Sequence, residues 1–168
     1  LGGKMNTSNP VYDPLAVANF FVQKSLETGK EVTPMKLLKL VYIAHGWNLG
    51  LFGEPLISEA VEAWQYGPVI PSVYQAFKEY GRSRITKLTS GPWGVGLASP
   101  VVPVIPEEDV RTRGLLSEIW EVYGDKDGLY LSAVTHKEGS PWTKTARNGI
   151  IAQEAIREHY QSLSQTAA

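Results

Sequence analysis

The chain of 168 residues contains no cysteine. That single absence excludes disulfide frameworks, thiolate-held zinc and a cysteine nucleophile, and it accords with a reducing compartment. A long hydrophobic run is also missing. Nowhere do about 18 apolar residues follow one another, as a membrane-spanning helix requires, and no apolar signal region opens the sequence. Both absences point to a cytoplasmic protein with no membrane partner. Charge of one sign is lacking too: Lys and Arg number 16 against 17 Asp and Glu, a formal net charge of -1. Proteins that neutralise a phosphate backbone ordinarily carry a basic excess, so no nucleic-acid partner is expected.

What is present is a globular composition, 43% hydrophobic and 20% charged. The length suits one domain, and a chain of this size buries roughly 70% of its unfolded surface without a metal or disulfide staple. Leu1-Gly2-Gly3-Lys4 ahead of Met5 reads as a cloning remnant, so residues 5–168 are expected to form the single domain. No internal repeat or low-complexity tract interrupts it.

The expected class is α+β, predominantly α-helical, with six to seven helices around a central one. Asp13-Pro14 opens the first helix: a carboxylate caps free N–H groups, and proline suits the first helical position. Leu15, Ala18, Val22 and Leu26 then make a buried stripe that Gly29 ends. Thr33-Pro34 repeats the signal for the central helix, over about 33–52. Its stripe of Leu37, Leu40, Val41, Ala44, Trp47 and Leu51 is flanked by Leu38, Tyr42 and Leu49, so most of its circumference is apolar. The remaining face reads Lys36, Lys39, Ile43, Gly46 and Gly50. Glycines in a helix interior cost about 1 kcal/mol each relative to alanine, so two of them one turn apart indicate close approach of another backbone. That backbone is either a neighbouring helix of this chain or a partner seated on an open face.

Val61, Ala63, Trp64 and Tyr66 suit a short strand over about 60–66, ended by a turn at Gly67-Pro68. The strand is expected to pair in a small antiparallel sheet with segments within 84–105, where Val101–Ile105 can form an edge strand limited by Pro103. A long ordered loop is the alternative for 86–105. Ile70-Pro71 starts a third helix that Gly81 stops, and a fourth runs from about Pro106 to Gly124 around Leu116, Ile119, Trp120 and Tyr123. A short helix follows over 127–135. A further turn or two begin at Ser140-Pro141 and end at Asn148-Gly149. The last helix, about 153–163, is expected to bury Ala155, Ile156 and Leu163.

Little in this pattern carries chemistry. His45 has no His or acid at i+3 or i+4, and His136 with Glu138 is too short a pair for a zinc site, so neither metal nor cofactor is expected. Thr135, His136 and Ser140 lie close in sequence, and a nucleophile with a histidine base is one reading of them. In the plainer reading, Thr135 and His136 end a helix while Ser140 caps the next. No Gly-x-Ser-x-Gly turn and no phosphate-binding Gly-x-x-x-x-Gly-Lys-Ser/Thr loop occurs. An enzyme is not expected.

Three blocks form a more specific pattern. They are Met35 to Trp47 in the central helix, Glu62-Ala63-Trp64-Gln65-Tyr66-Gly67-Pro68-Val69-Ile70-Pro71 continuing to Tyr74, and Leu131 to His136 followed by Ser140-Pro141-Trp142. In this order and spacing the chain resembles the Panacea domain, the SocA-like or phage-associated GepA-like family, over about 12–164. The resemblance implies an antitoxin of a bacterial or prophage toxin–antitoxin pair, whose partner is a cognate toxin neutralised by direct protein contact. An adaptor that delivers its toxin to a protease is the alternative, with that protease as second partner. The positions matching the family pattern are Trp64, Gly67, Pro68, Val69, Thr135, His136, Pro141 and Trp142. They are read as a shared scaffold or as toxin contacts. The Gly- and Pro-rich segment 86–105 exceeds the family pattern and is a place for partner-specific contacts.

Overall fold

The computed structural model describes residues 10–94 and 101–166; the expected remnant at residues 1–4 lies outside them. Six helices and one hairpin follow in the order α1 (Pro14–Thr28), α2 (Pro34–Phe52), β1 (Glu62–Trp64), β2 (Gly67–Val69), α3 (Pro71–Phe77), α4 (Val110–Tyr123), α5 (Gly128–His136) and α6 (Gln153–Thr166). This is a predominantly helical α+β fold.

The helix starts arise from their local chemistry. The Asp13 carboxylate accepts from the Leu15 N–H at 2.9 Å, and Asp109 and Asp127 cap α4 and α5 in the same manner. Gly29 and Gly53, both left-handed, close α1 and α2. The fourth helix begins at Val110, because 106–109 form the turn that leads to its cap.

α2 is central: it packs against each of the other five helices and against β2. Its Leu37, Leu40, Val41, Ile43 and Ala44 are buried with Phe21 and Val22 of α1, Leu116 and Trp120 of α4, and Leu131 of α5. Each such large aliphatic side chain removed from water contributes about 1.5–3 kcal/mol. Leu26, Leu51 and Leu163, all expected in buried stripes, are instead exposed. Each lies in the last turns of its helix, past the point where a neighbour covers that face.

The expected sheet is corrected in its pairing. β1 pairs with β2 in a tight hairpin, Ala63 opposite Pro68, so the turn is Gln65-Tyr66 and Gly67-Pro68 belong to the returning strand. The other edge of β1 is taken by 148–151, through Asn148 N–H to Ala63 O at 2.7 Å, Ala63 N–H to Gly149 O at 2.9 Å and Ile151 N–H to Val61 O at 2.8 Å. The described residues of 84–105 form no strand. A polar side chain holds them instead. Buried Asn19 of α1 donates to Thr89 O and Pro103 O, both at 2.9 Å, and accepts from the Thr89 N–H. One amide thus satisfies three backbone groups from both ends of the segment, the role a strand partner would have had.

The segment after Ser140 is a run of turns in place of a regular helix, with Thr143 N–H on Ser140 O and Lys144 N–H on Pro141 O. The Ser140 hydroxyl is buried without a hydrogen-bond partner among the described residues, so it does not act as a cap there.

Candidate partner-binding site

Three alternate carbonyls of the hairpin, those of Trp64, Tyr66 and Pro68, each receive a side-chain donor from a different part of the chain. Trp64 O accepts the Trp142 indole N–H at 2.6 Å and an Arg147 guanidinium N–H at 3.0 Å, and that guanidinium lies 4.1 Å over the Trp142 ring. Tyr66 O accepts from the Ser132 hydroxyl of α5 at 2.5 Å. Pro68 O accepts from the Lys39 ammonium of α2 at 2.9 Å. Gly67, at φ 118°, lies so close that a Cβ there would stand 3.0 Å from Lys39 Nζ and 3.4 Å from Thr135 Oγ1. A side chain would therefore be strained by the backbone and would press on the ammonium.

The motif positions are thus brought together, and the Trp142 indole N–H, the Thr135 hydroxyl and His136 Nδ1 all find partners inside the protein. Thr135 Oγ1 donates back to Leu131 O at 2.8 Å, so it is no free nucleophile. His136 Nδ1 lies 3.2 Å from Ser132 Oγ, and its ring packs on Trp142 with centroids 5.2 Å apart. A serine hydroxyl has one proton, and here it goes to Tyr66 O. That leaves the Ser132 oxygen as the acceptor toward His136 Nδ1. Val69 and Pro141 are buried. No group of three or more His, Asp or Glu with metal-binding geometry occurs among the described residues.

The stripe of Lys36, Lys39, Ile43, Gly46 and Gly50 is not an open face. Lys36 is buried and donates to Glu31 O at 3.0 Å and to Gly124 O at 2.5 Å. Ile43 is buried. Gly46 and Gly50 are covered by α6: a Cβ on Gly46 would overlap the Tyr160 ring at 2.2 Å, and one on Gly50 would meet the Tyr160 backbone at 2.7 Å. The glycines serve a helix contact within the chain.

Beside the motif cluster lies an apolar groove of about 450 Å³, between the first turns of α2, the hairpin and α3. Leu38 and Val69 form its buried base, and Trp64 stacks edge-to-face on Tyr74 with centroids 5.0 Å apart to form a wall. Tyr66, 60% exposed, stands at the rim. This groove was not legible in the sequence, since its walls come from three elements. Ser132, Arg147 and Asn19 were missed as well; each is an ordinary polar residue until its acceptor is known.

Residues 37–143 match the family described as Antitoxin SocA-like, Panacea domain. The chain belongs to that family. The Panacea match runs from α2 to just past Trp142 and includes every position of the motif cluster. The chain is also 32% identical over 130 residues to Antitoxin SocA of Caulobacter vibrioides (strain NA1000 / CB15N), covering 77% of this chain and 68% of that relative. No solved structure matches the chain. Within this Panacea domain no helix of the described residues is long and apolar enough to cross a membrane.

Proposed function

We propose that this Panacea-domain protein is the antitoxin of a toxin–antitoxin pair, acting in the cytoplasm, and that it neutralises its cognate toxin by direct contact without chemistry of its own. The observation that carries this reading is the internal use of the motif's polar atoms. The Trp142 indole, the Ser132 hydroxyl and the Lys39 ammonium donate to the Trp64, Tyr66 and Pro68 carbonyls, and these bonds hold the hairpin at the surface. A scaffold of that kind leaves recognition to exposed residues around it, as expected where related proteins meet different partners.

Co-expression with the product of the adjacent gene tests this. The expected result is rescue of growth and co-purification of the two proteins, with toxin half-life unchanged. Failure of both rescue and complex formation overturns the reading, whereas rescue with a shortened toxin half-life favours delivery to a protease.

A further inference from the structure

The groove beside the hairpin carries charge of one sign only. Its charged lining groups are Lys39 and Lys78, and no acid lines it. Lys39 is 1% exposed and hydrogen-bonds only Pro68 O among the described residues, although an ammonium has three protons to donate. Burial alone pulls its pKa down to about 7, with no carboxylate near enough to hold it up. Lys78 is exposed at the mouth and makes no ion pair among the described residues. Glu62, the acid adjoining this part of the hairpin, is engaged by the Trp64 indole N–H at 3.0 Å.

The apolar surface also continues past the rim. Leu129, Ser132 and His136 share one face of α5 at spacings of three and four. Leu129, one turn before Ser132 on α5, is 74% exposed. Gly128 abuts Met35, itself a groove residue. Exposed apolar side chains gathered around a preformed groove mark a protein-binding surface.

We infer that this groove is where the toxin docks, by a segment that places an apolar side chain between Leu38, Val69 and the Trp64–Tyr74 wall and a carboxylate against Lys78, with Lys39 buried behind it. The toxin as occupant rests on the antitoxin reading above; the chemistry of the segment rests on the groove. The apolar side chain supplies affinity, and the carboxylate sets register and speeds encounter.

The test measures affinity of the co-expressed toxin for the full chain and for Lys78→Glu, Tyr66→Ala and Val122→Ala. Val122 is an exposed control in a second apolar groove, lined by α2, α4 and α6. All three substitutions are at exposed side chains, and circular dichroism with thermal melting checks that each variant folds. Lys78→Glu and Tyr66→Ala are each expected to weaken binding about tenfold or more, the Lys78→Glu loss shrinking at high salt, with Val122→Ala within about twofold. An acid-to-Lys change in the toxin that restores binding to Lys78→Glu would identify the carboxylate. Both groove variants binding like the unsubstituted chain overturns the groove while leaving the antitoxin reading intact. Loss in Tyr66→Ala alone overturns the carboxylate, and loss in Lys78→Glu alone overturns the groove as the seat. No binding by the unsubstituted chain overturns the antitoxin reading and the occupant together.

Discussion

The two halves of α2 present one continuous stripe, yet they are held by opposite means. Toward its N-terminus, Lys36 and Lys39 reach carbonyls of other segments, Gly124 O and Pro68 O, so the contacts are polar and buried. Toward its C-terminus, Gly46 and Gly50 remove side chains altogether and let α6 lie against the helix backbone. Tyr160 fills that space, its ring edge-on to Tyr42 at 6.1 Å and to Trp47 at 5.3 Å. The glycine half tolerates no added atom. The lysine half contains charges whose burial costs free energy, and it positions the hairpin in return. Packing at one end secures the fold, while hydrogen bonding at the other shapes the surface near the groove.

The sharpest way to break the comparison is Gly50→Ala. Alanine would gain about 1 kcal/mol in helix propensity, but its methyl would lie 2.7 Å from the Tyr160 backbone, and α6 must shift as a unit. A net loss of about 3 kcal/mol or more is expected in urea unfolding, at the severe end for overpacking. An unchanged midpoint would mean that α6 does not sit on α2.

The next effect belongs to the lysine half and is read as pH dependence. Lys39 has a folded pKa near 7, depressed by burial from its ordinary 10.5. Between those values the unfolded chain binds a proton that the folded chain does not, so stability rises with pH through this window. A gain of about 2 kcal/mol from pH 7 to pH 9 is expected. Lys36, also depressed by burial, adds with the same sign. Tyr12, Tyr42 and Tyr160 all have raised values and stay protonated here in both states. Lys39→Met should flatten most of the rise, and urea titrations at the two pH values on both proteins measure it.

Smallest is Trp142→Phe, which keeps an aromatic ring and removes the donor to Trp64 O. Arg147 still serves that carbonyl, so a loss of about 1 kcal/mol is expected. Toxin affinity should move only if the hairpin does, which amide exchange at residues 62–69 would report.

Local signals were the legible ones. Asp13-Pro14 and Thr33-Pro34 announce their helices because capping involves only neighbouring residues, and the 3.6-residue stripe of α2 identifies a buried helix. In α6 the expected stripe of Ala155, Ile156 and Leu163 left out the residue that anchors the helix. Its anchor, Tyr160, sits in a mostly polar helix, and what it packs on is a pair of glycines more than 100 residues earlier. The hairpin was misread for a related reason. Gly67-Pro68 has turn composition, but Pro68 can occupy a strand position because its missing N–H needs no partner there while its carbonyl finds Lys39.

By itself, then, the sequence determined where helices begin and end, that a family motif was present, and that disulfide and thiolate chemistry was absent. These depend on residue type and near-neighbour spacing. Only the tertiary structure decided that 148–151 flank β1, that Asn19 ties Thr89 to Pro103, and that the lysine–glycine stripe is interior. It also decided that an apolar groove with two cations lies beside the hairpin. Each of these is set by which distant donor meets which carbonyl, and no local pattern encodes that pairing.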